Sequence, residues 1–292
     1  MTSRRLRLVA WLAAAVIALG LVPLAKKMAL VEGGGSVSIA IGTALIAGLV
    51  VLAWLTLVGQ LGKLGSLTAH DWRSVLLVGA LGSGLVPLFG ILAMTETSAS
   101  NRALFQSAYP VATAIAARLL LRERLDAMAY VWIVLVCLGL LLMNLNAGEG
   151  LSVISWPFWL LLSTLPLIGL ADVIAKKSLG DVTPELIAFG RALGGLVILI
   201  ALLPWASQSF EAISLTVWLW ILLGGGCMGI FSVALYQVFD RTLATLAASL
   251  IALAPLLTLG LEASLLDLGL GATQWVGFAL VLFSVVLLSR RV

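Results

Sequence analysis

The chain has 292 residues and a net charge of +4; 62% of it is apolar and 10% charged, with a mean hydropathy of +1.18. A soluble domain carries roughly 25% charge, so charge this sparse cannot cover a water-facing surface and most of the surface faces lipid. The positive balance does not point to nucleic acid, because the basic residues stand at the ends of apolar runs as topology signals.

A helix needs about 20 apolar residues to span a bilayer. Ten stretches qualify: 7–25, 37–59, 73–94, 98–119, 127–146, 155–176, 183–204, 214–239, 242–263 and 271–289. None shows the period-2 alternation of a membrane barrel, so the expected class is an all-α polytopic membrane protein. Arg4-Arg5-Leu6-Arg7 before the first stretch imitates a signal peptide, but that stretch is long enough to span. Gly33-Gly34-Gly35, Gly148-Glu149-Gly150 and residues 181–184 mark the clearest turns. Ten spans put both termini on one face. Thirteen of the 17 Lys and Arg then fall on that face and three, Lys26, Lys27 and Arg102, on the other, while Arg191 lies within a span. By the positive-inside rule both termini are cytoplasmic and the expected location is the inner membrane.

The chain repeats itself. Ala25-Lys26-Lys27 recurs as Ala175-Lys176-Lys177, 150 residues on. A shift of 145 pairs Gly79 with Gly224, Gly84 with Gly229 and Pro110 with Pro255. Matched Gly and Pro weigh more than matched Ala or Val, since each sets backbone geometry. Residues 1–146 and 147–292 form two five-span repeats, and an odd span number inverts the second against the first. Arg191 has Ile41 as its counterpart at a shift of 150, so the halves differ in charge.

Tyr109-Pro110 through Leu121-Arg122-Glu123-Arg124-Leu125, the helix bearing Gly139, and the parallel run from Ala254-Pro255 to Leu288 resemble the EamA-like type of the drug/metabolite transporter superfamily. So does the stretch holding Lys177, Pro184 and Arg191. The resemblance covers essentially the whole chain; its motifs identify the superfamily and not the substrate. It implies a two-bundle transporter with a central cavity lined by the third, fourth, eighth and ninth helices, helped by the first and sixth.

Asp172 is the one carboxylate within a span. It reads either as a coupling or substrate-amine site, or as a structural ion paired with Lys176 four residues on or with Arg191. The structural pair is favoured because neither charge stands near mid-membrane on the span reading. Arg191 is either a counter-ion for an anionic substrate or a side chain snorkelling to the headgroups. Gln106, Ser107 and Tyr109 lead into Pro110, where a kink frees a carbonyl and a polar cavity fits; Pro255 is the matching kink. In aromatic amino acid exporters related by the resemblance, an amide and an aromatic stand at the positions of Gln106 and Tyr109. Interhelical hydrogen bonding is the alternative. Tyr236 and Gln237 are candidates for the cytosolic mouth. Trp156, Trp159, Trp218 and Trp220 read as interfacial belt residues.

No enzyme signature emerges. There is one histidine, two distant cysteines and no P-loop, so no metal, cofactor or ATP hydrolysis by that route is expected. The expectation is a monomeric secondary transporter, an exporter by resemblance, that moves small metabolites such as amino acids by alternating access, with substrate and membrane lipid as its partners. A lipid flippase of the same build is the first alternative. An intramembrane lipid-modifying enzyme is the second, and it lacks a convergent set of acid, base or metal ligands.

Overall fold

The computed structural model describes residues 3–97, 99, 102, 105–106, 108–121, 127–144, 155–203, 214–242, 244–251, 253–255, 257–258, 260–261 and 271–289. Among them every regular element is helical: α1 (Ser3–Val31), α2 (Ser36–Leu57), α3 (Ala69–Met94), α4 (Tyr109–Leu120), α5 (Ala127–Asn144), α6 (Trp156–Ser178), α7 (Pro184–Leu202), α8 (Leu215–Arg241), α9 (Ala244–Ile251) and α10 (Ala272–Ser289). Each falls on one of the ten apolar stretches. Six of them, α1–α3 and α6–α8, are each long and apolar enough to cross a membrane unaided. The Gly33 turn holds at φ +87°, a conformation that favours glycine. Gly148-Glu149-Gly150 lies outside the described residues.

Two sequence expectations need correcting. The apolar pattern puts the first span at 7–25 with Lys26 and Lys27 beyond it; α1 instead continues as helix to Val31 and carries both lysines. Pro110 and Pro255 were expected to kink continuous helices. Each instead stands two residues past a turn, at Ala108 and Leu253, and Pro110 sits in the first turn of α4, where its missing N–H has no helical partner to lose. Prolines that do lie inside an uninterrupted α-helix are Pro23 of α1 and Pro166 of α6.

The halves interleave. α1 and α2 pack chiefly on α8 of the second half, and α6 and α7 pack on α3 of the first; α5 pairs with α10. The result is two mirror groups, α1–α2–α8 and α6–α7–α3. Missing side chains let the backbones close up at matching places. A Cβ on Gly84 would strike Ile198 and the Gly195 carbonyl; one on Gly229 would strike Val50 and the Ala47 carbonyl. A Cβ on Gly169 would meet the backbone at Ala112 and Thr113; on Gly20 it would meet Leu257 and the Ala254 carbonyl.

These contacts give the true register of the repeat. Gly195 and Ile198 correspond to Ala47 and Val50 at a shift of 148, and Gly169 corresponds to Gly20 at 149, while the partners on the third and fourth spans keep 145. Lysine contacts agree. Lys27 Nζ donates to the carbonyls of Met94 (2.9 Å) and Thr97 (3.0 Å) at the end of α3. Lys176 Nζ donates to those of Phe239 (2.6 Å) and Thr242 (2.9 Å) at the end of α8. Both satisfy carbonyls that a helix leaves open at its C-terminus. The structural partner of Lys176 is therefore Lys27, one residue off the spelling match, and that of Arg191 is Thr43 rather than Ile41.

Candidate functional site

Arg191 is the centre of the buried polar structure. α3 is α-helical over Ala69–Gly79, becomes a π-helix over Ala80–Leu85, and resumes as α-helix from Val86 to Met94. Single-turn π segments loosen the regular ladder and recur at functional sites. Here that segment presents two acceptors inward. Arg191 Nε donates to Ser83 Oγ at 2.9 Å and Nη2 donates to the Gly82 carbonyl at 3.2 Å. Nη1 donates to the Tyr236 hydroxyl at 3.1 Å. The guanidinium also lies over the rings of Phe231 and Tyr236, 5.7 and 5.8 Å from their centroids. Arg191 is 1% exposed, so it does not snorkel; it reaches the middle of α3.

Asp172, also 1% exposed, faces the same space from α6 and accepts a hydrogen bond from the Thr113 hydroxyl of α4 at 3.2 Å. It is within electrostatic reach of Arg191 and Tyr109, but no nitrogen–oxygen approach within 4.0 Å joins it to Arg191 among the described residues. The i+4 pairing with Lys176 does not form either, since that ammonium is turned to the end of α8. Asp172 is thus held by a neutral hydroxyl and acts on Arg191 across a gap.

That gap is a cavity of about 30 Å³. Its polar lining comes from both halves: Lys26 of α1, Arg102 and Gln106 ahead of α4, Tyr109, and Asp172 and Arg191 from α6 and α7. Met228, Phe231 and Leu235 of α8 supply an apolar wall. Two smaller spaces of about 10 Å³ adjoin it. One runs past Lys26 toward Thr43 and Ser232; the other runs past Gln106 and Tyr109 to Ile251, Ala254, Pro255 and Thr258. Each site that holds a water needs roughly 10–15 Å³ by this measure, so the main cavity has room for about two waters and not for an amino acid. Apolar packing lies on both sides of it, around Val75, Leu186 and Phe239 toward one face and around Ile39, Met94 and Leu199 toward the other.

A family model for the EamA-like transporter family matches this sequence twice, over residues 6–145 and 154–290. The chain belongs to the EamA-like transporter family. It is accordingly a multi-pass membrane protein and a membrane transporter of small solutes. No curated protein matches the chain. Among solved structures 28 chains match, and one crystal structure superposes on 98% of this chain and 98% of its own with a TM-score of 0.74 at 18% identity. At that identity the likeness speaks for the fold alone.

Set in this family's fold, the sequence-predicted residues divide. Gln106, Tyr109, Asp172 and Arg191 line the cavity together. Tyr236 stands behind Arg191 as its ligand. Gln237 lies outside the cavity, donating to the Glu185 carboxylate of α7 and accepting from Arg241. Pro255 borders a side space, and Ser107 lies outside the described residues. Trp156, Trp159 and Trp218 are exposed on the outer surface, as a belt requires. The sequence reading missed Lys26 and Arg102 by counting both as topology signals on the far face; they are 2% and 3% exposed. A helical-face count could have found them. Leu19, Val22 and Lys26 share one face of α1 at steps of three and four, and Arg102, Gln106 and Tyr109 follow one another in the sequence at the same steps. Thr113 and Ser83 carried no such signal, because their role depends on Asp172 and Arg191 arriving from the other half.

Proposed function

We propose that this transporter exports small amphoteric solutes, amino acids first, across the inner membrane by alternating access, with both termini cytoplasmic. The observation that carries the reading is the cavity: a buried space between the two mirror helix groups, lined by a carboxylate, basic side chains, an amide and a phenol. The α1–α2–α8 group supplies Lys26 and the apolar wall; the α3–α6–α7 group supplies Asp172 and Arg191. A solute held there is gripped by both groups, and rocking one group on the other opens the cavity to alternate faces. The repeats 1–146 and 147–292 each contribute to both groups, so they are units of ancestry rather than of motion.

The face that carries the termini is latched across the groups by Arg191–Tyr236 and Gln237–Glu185. At the register of the repeat the opposite face has Leu92 and Val37 in place of Gln237 and Glu185, and both belong to the apolar packing there. Both faces share a lysine contact between the groups, Lys176 to the end of α8 and Lys27 to the end of α3, and among the described residues the termini's face adds the Arg191–Tyr236 and Gln237–Glu185 bonds where the other has apolar packing. Tyr236 and Gln237 act as the cytosolic latch in this account.

Gln106 is partly exposed to the cavity and to the side space that leads to Pro255. Gln106→Ala should leave expression and thermal stability unchanged and lower the initial rate of amino acid flux in proteoliposomes by about tenfold, the discrimination that about 1.4 kcal/mol of lost binding gives. Unchanged kinetics would remove Gln106 from the substrate path.

A further inference from the structure

The cavity holds three basic side chains, Lys26, Arg102 and Arg191, against one carboxylate, Asp172. Arg191 is fully engaged by Ser83, Gly82, Tyr236 and two aromatic faces. Lys26 and Arg102 are not. Both are at least 97% buried and lie within electrostatic reach of one another; among the described residues neither has an ion-pair partner, and Arg102 Nη1 has no hydrogen-bond partner at all. The Tyr109 hydroxyl beside them is also unpartnered. Arg102 lies flat against α3 where Gly90 has no side chain; a Cβ there would stand 2.3 Å from its Cζ. The fold thus makes room for a guanidinium and then leaves it unpaired. Buried basic groups are costly unless something of opposite charge meets them.

We propose that Lys26 and Arg102 form an oxyanion-docking subsite of the cavity, with the Tyr109 hydroxyl as a third donor, so that the transported solute carries acidic groups in excess of its basic ones. An arginine presents two parallel N–H donors to a carboxylate or phosphate, and a lysine adds a point donor. A neutral zwitterion would leave the basic excess unmatched; an acidic amino acid or a phosphorylated small solute matches it. An acidic lipid headgroup shares this oxyanion chemistry, and the experiment below gives it an arm of its own. This inference rests on the cavity being the substrate site.

Binding to the purified full chain in detergent tests it without reference to transport. L-glutamate, inorganic phosphate and L-alanine are titrated by ligand-induced thermal stabilisation, with mixed micelles containing phosphatidylglycerol as a fourth arm. Wild type should bind glutamate or phosphate at least tenfold tighter than alanine. Lys26→Gln and Arg102→Gln should each remove that preference, and Lys26→Arg should retain it. Equal affinity of the wild type for glutamate, phosphate and alanine overturns the subsite, and this comparison decides the matter if both glutamine variants fail to fold. Stabilisation by phosphatidylglycerol alone also overturns it, assigning the pair to lipid. Flux in proteoliposomes separates this from the transport reading: acid-selective binding without flux of any solute breaks the transport reading and leaves the subsite, whereas flux of neutral amino acids without acid-selective binding breaks the subsite and leaves transport.

Discussion

Arg191→Ala should abolish most of the folded yield. The substitution removes three hydrogen bonds and leaves the Ser83 hydroxyl, the Gly82 carbonyl and the Tyr236 hydroxyl without their donor. It also leaves Asp172 buried with only Thr113 to stabilise its charge. Removing one member of a buried charged network typically costs about 3–5 kcal/mol, a large share of the roughly 5–15 kcal/mol that holds a domain together. The monodisperse peak on size exclusion after detergent extraction should fall accordingly. Adding Asp172→Asn to Arg191→Ala should restore part of the yield, because the uncompensated carboxylate goes with its partner, but should not restore transport. Asp172→Asn alone should fold better than Arg191→Ala alone, since Arg191 keeps its three neutral acceptors. If Arg191→Ala folds normally and only transport is lost, Arg191 is a substrate ligand alone and its structural role is disproved.

Gly194→Ala should be the most damaging single methyl in the protein's helix contacts. A Cβ at Gly194 would stand 2.2 Å from the Leu76 carbonyl oxygen and 2.9 Å from the Leu76 Cα, all backbone that no rotamer change can move. α7 and α3 would have to part, and Arg191 three residues back would lose its reach to Ser83 and Gly82. Overpacking typically costs about 1–3 kcal/mol, occasionally more, and here the loss of the arginine network adds to it. Gly229→Ala, elsewhere on the matching interface between α8 and α2, meets a Val50 side-chain carbon at 2.7 Å and should cost less. Gly226→Ala meets nothing within 4 Å and should be neutral. Thermal midpoints in detergent should therefore rank Gly226→Ala above Gly229→Ala above Gly194→Ala. Equal midpoints for all three would show that the mirror helix packing is not as close as described.

The fold was largely legible because span length, turn glycines and the repeated Gly and Pro positions are all local or periodic signals. The mirror groups were not, since interleaving is a property of how helices from different halves meet. The site was half legible. Asp172 and Arg191 stood out as charges within apolar spans, and Gln106 and Tyr109 stood out beside a proline. Lys26 and Arg102 did not, because each lies near the edge of an apolar run, where a basic residue ordinarily marks a loop. Their burial sharpens the topology argument: of the three basic residues counted against the positive-inside bias, two line the cavity and Lys27 caps α3. The fine register of the repeat was hidden as well. The Ala-Lys-Lys spelling invites a shift of 150, whereas the contacts made by Gly20, Gly169, Lys27 and Lys176 set it at 149 in the first helix of each half.

The central claim is that solute crosses through the cavity between the two helix groups by alternating access. Counterflow in proteoliposomes tests it most directly: vesicles preloaded with unlabelled amino acid take up labelled amino acid from outside, and the initial rate is compared with that of empty-loaded vesicles. Uptake should be saturable and accelerated several-fold by the preload, with an initial rate about tenfold lower in Gln106→Ala. Uptake absent for every amino acid of either charge class, together with lipid headgroup scrambling by the same vesicles, would contradict it.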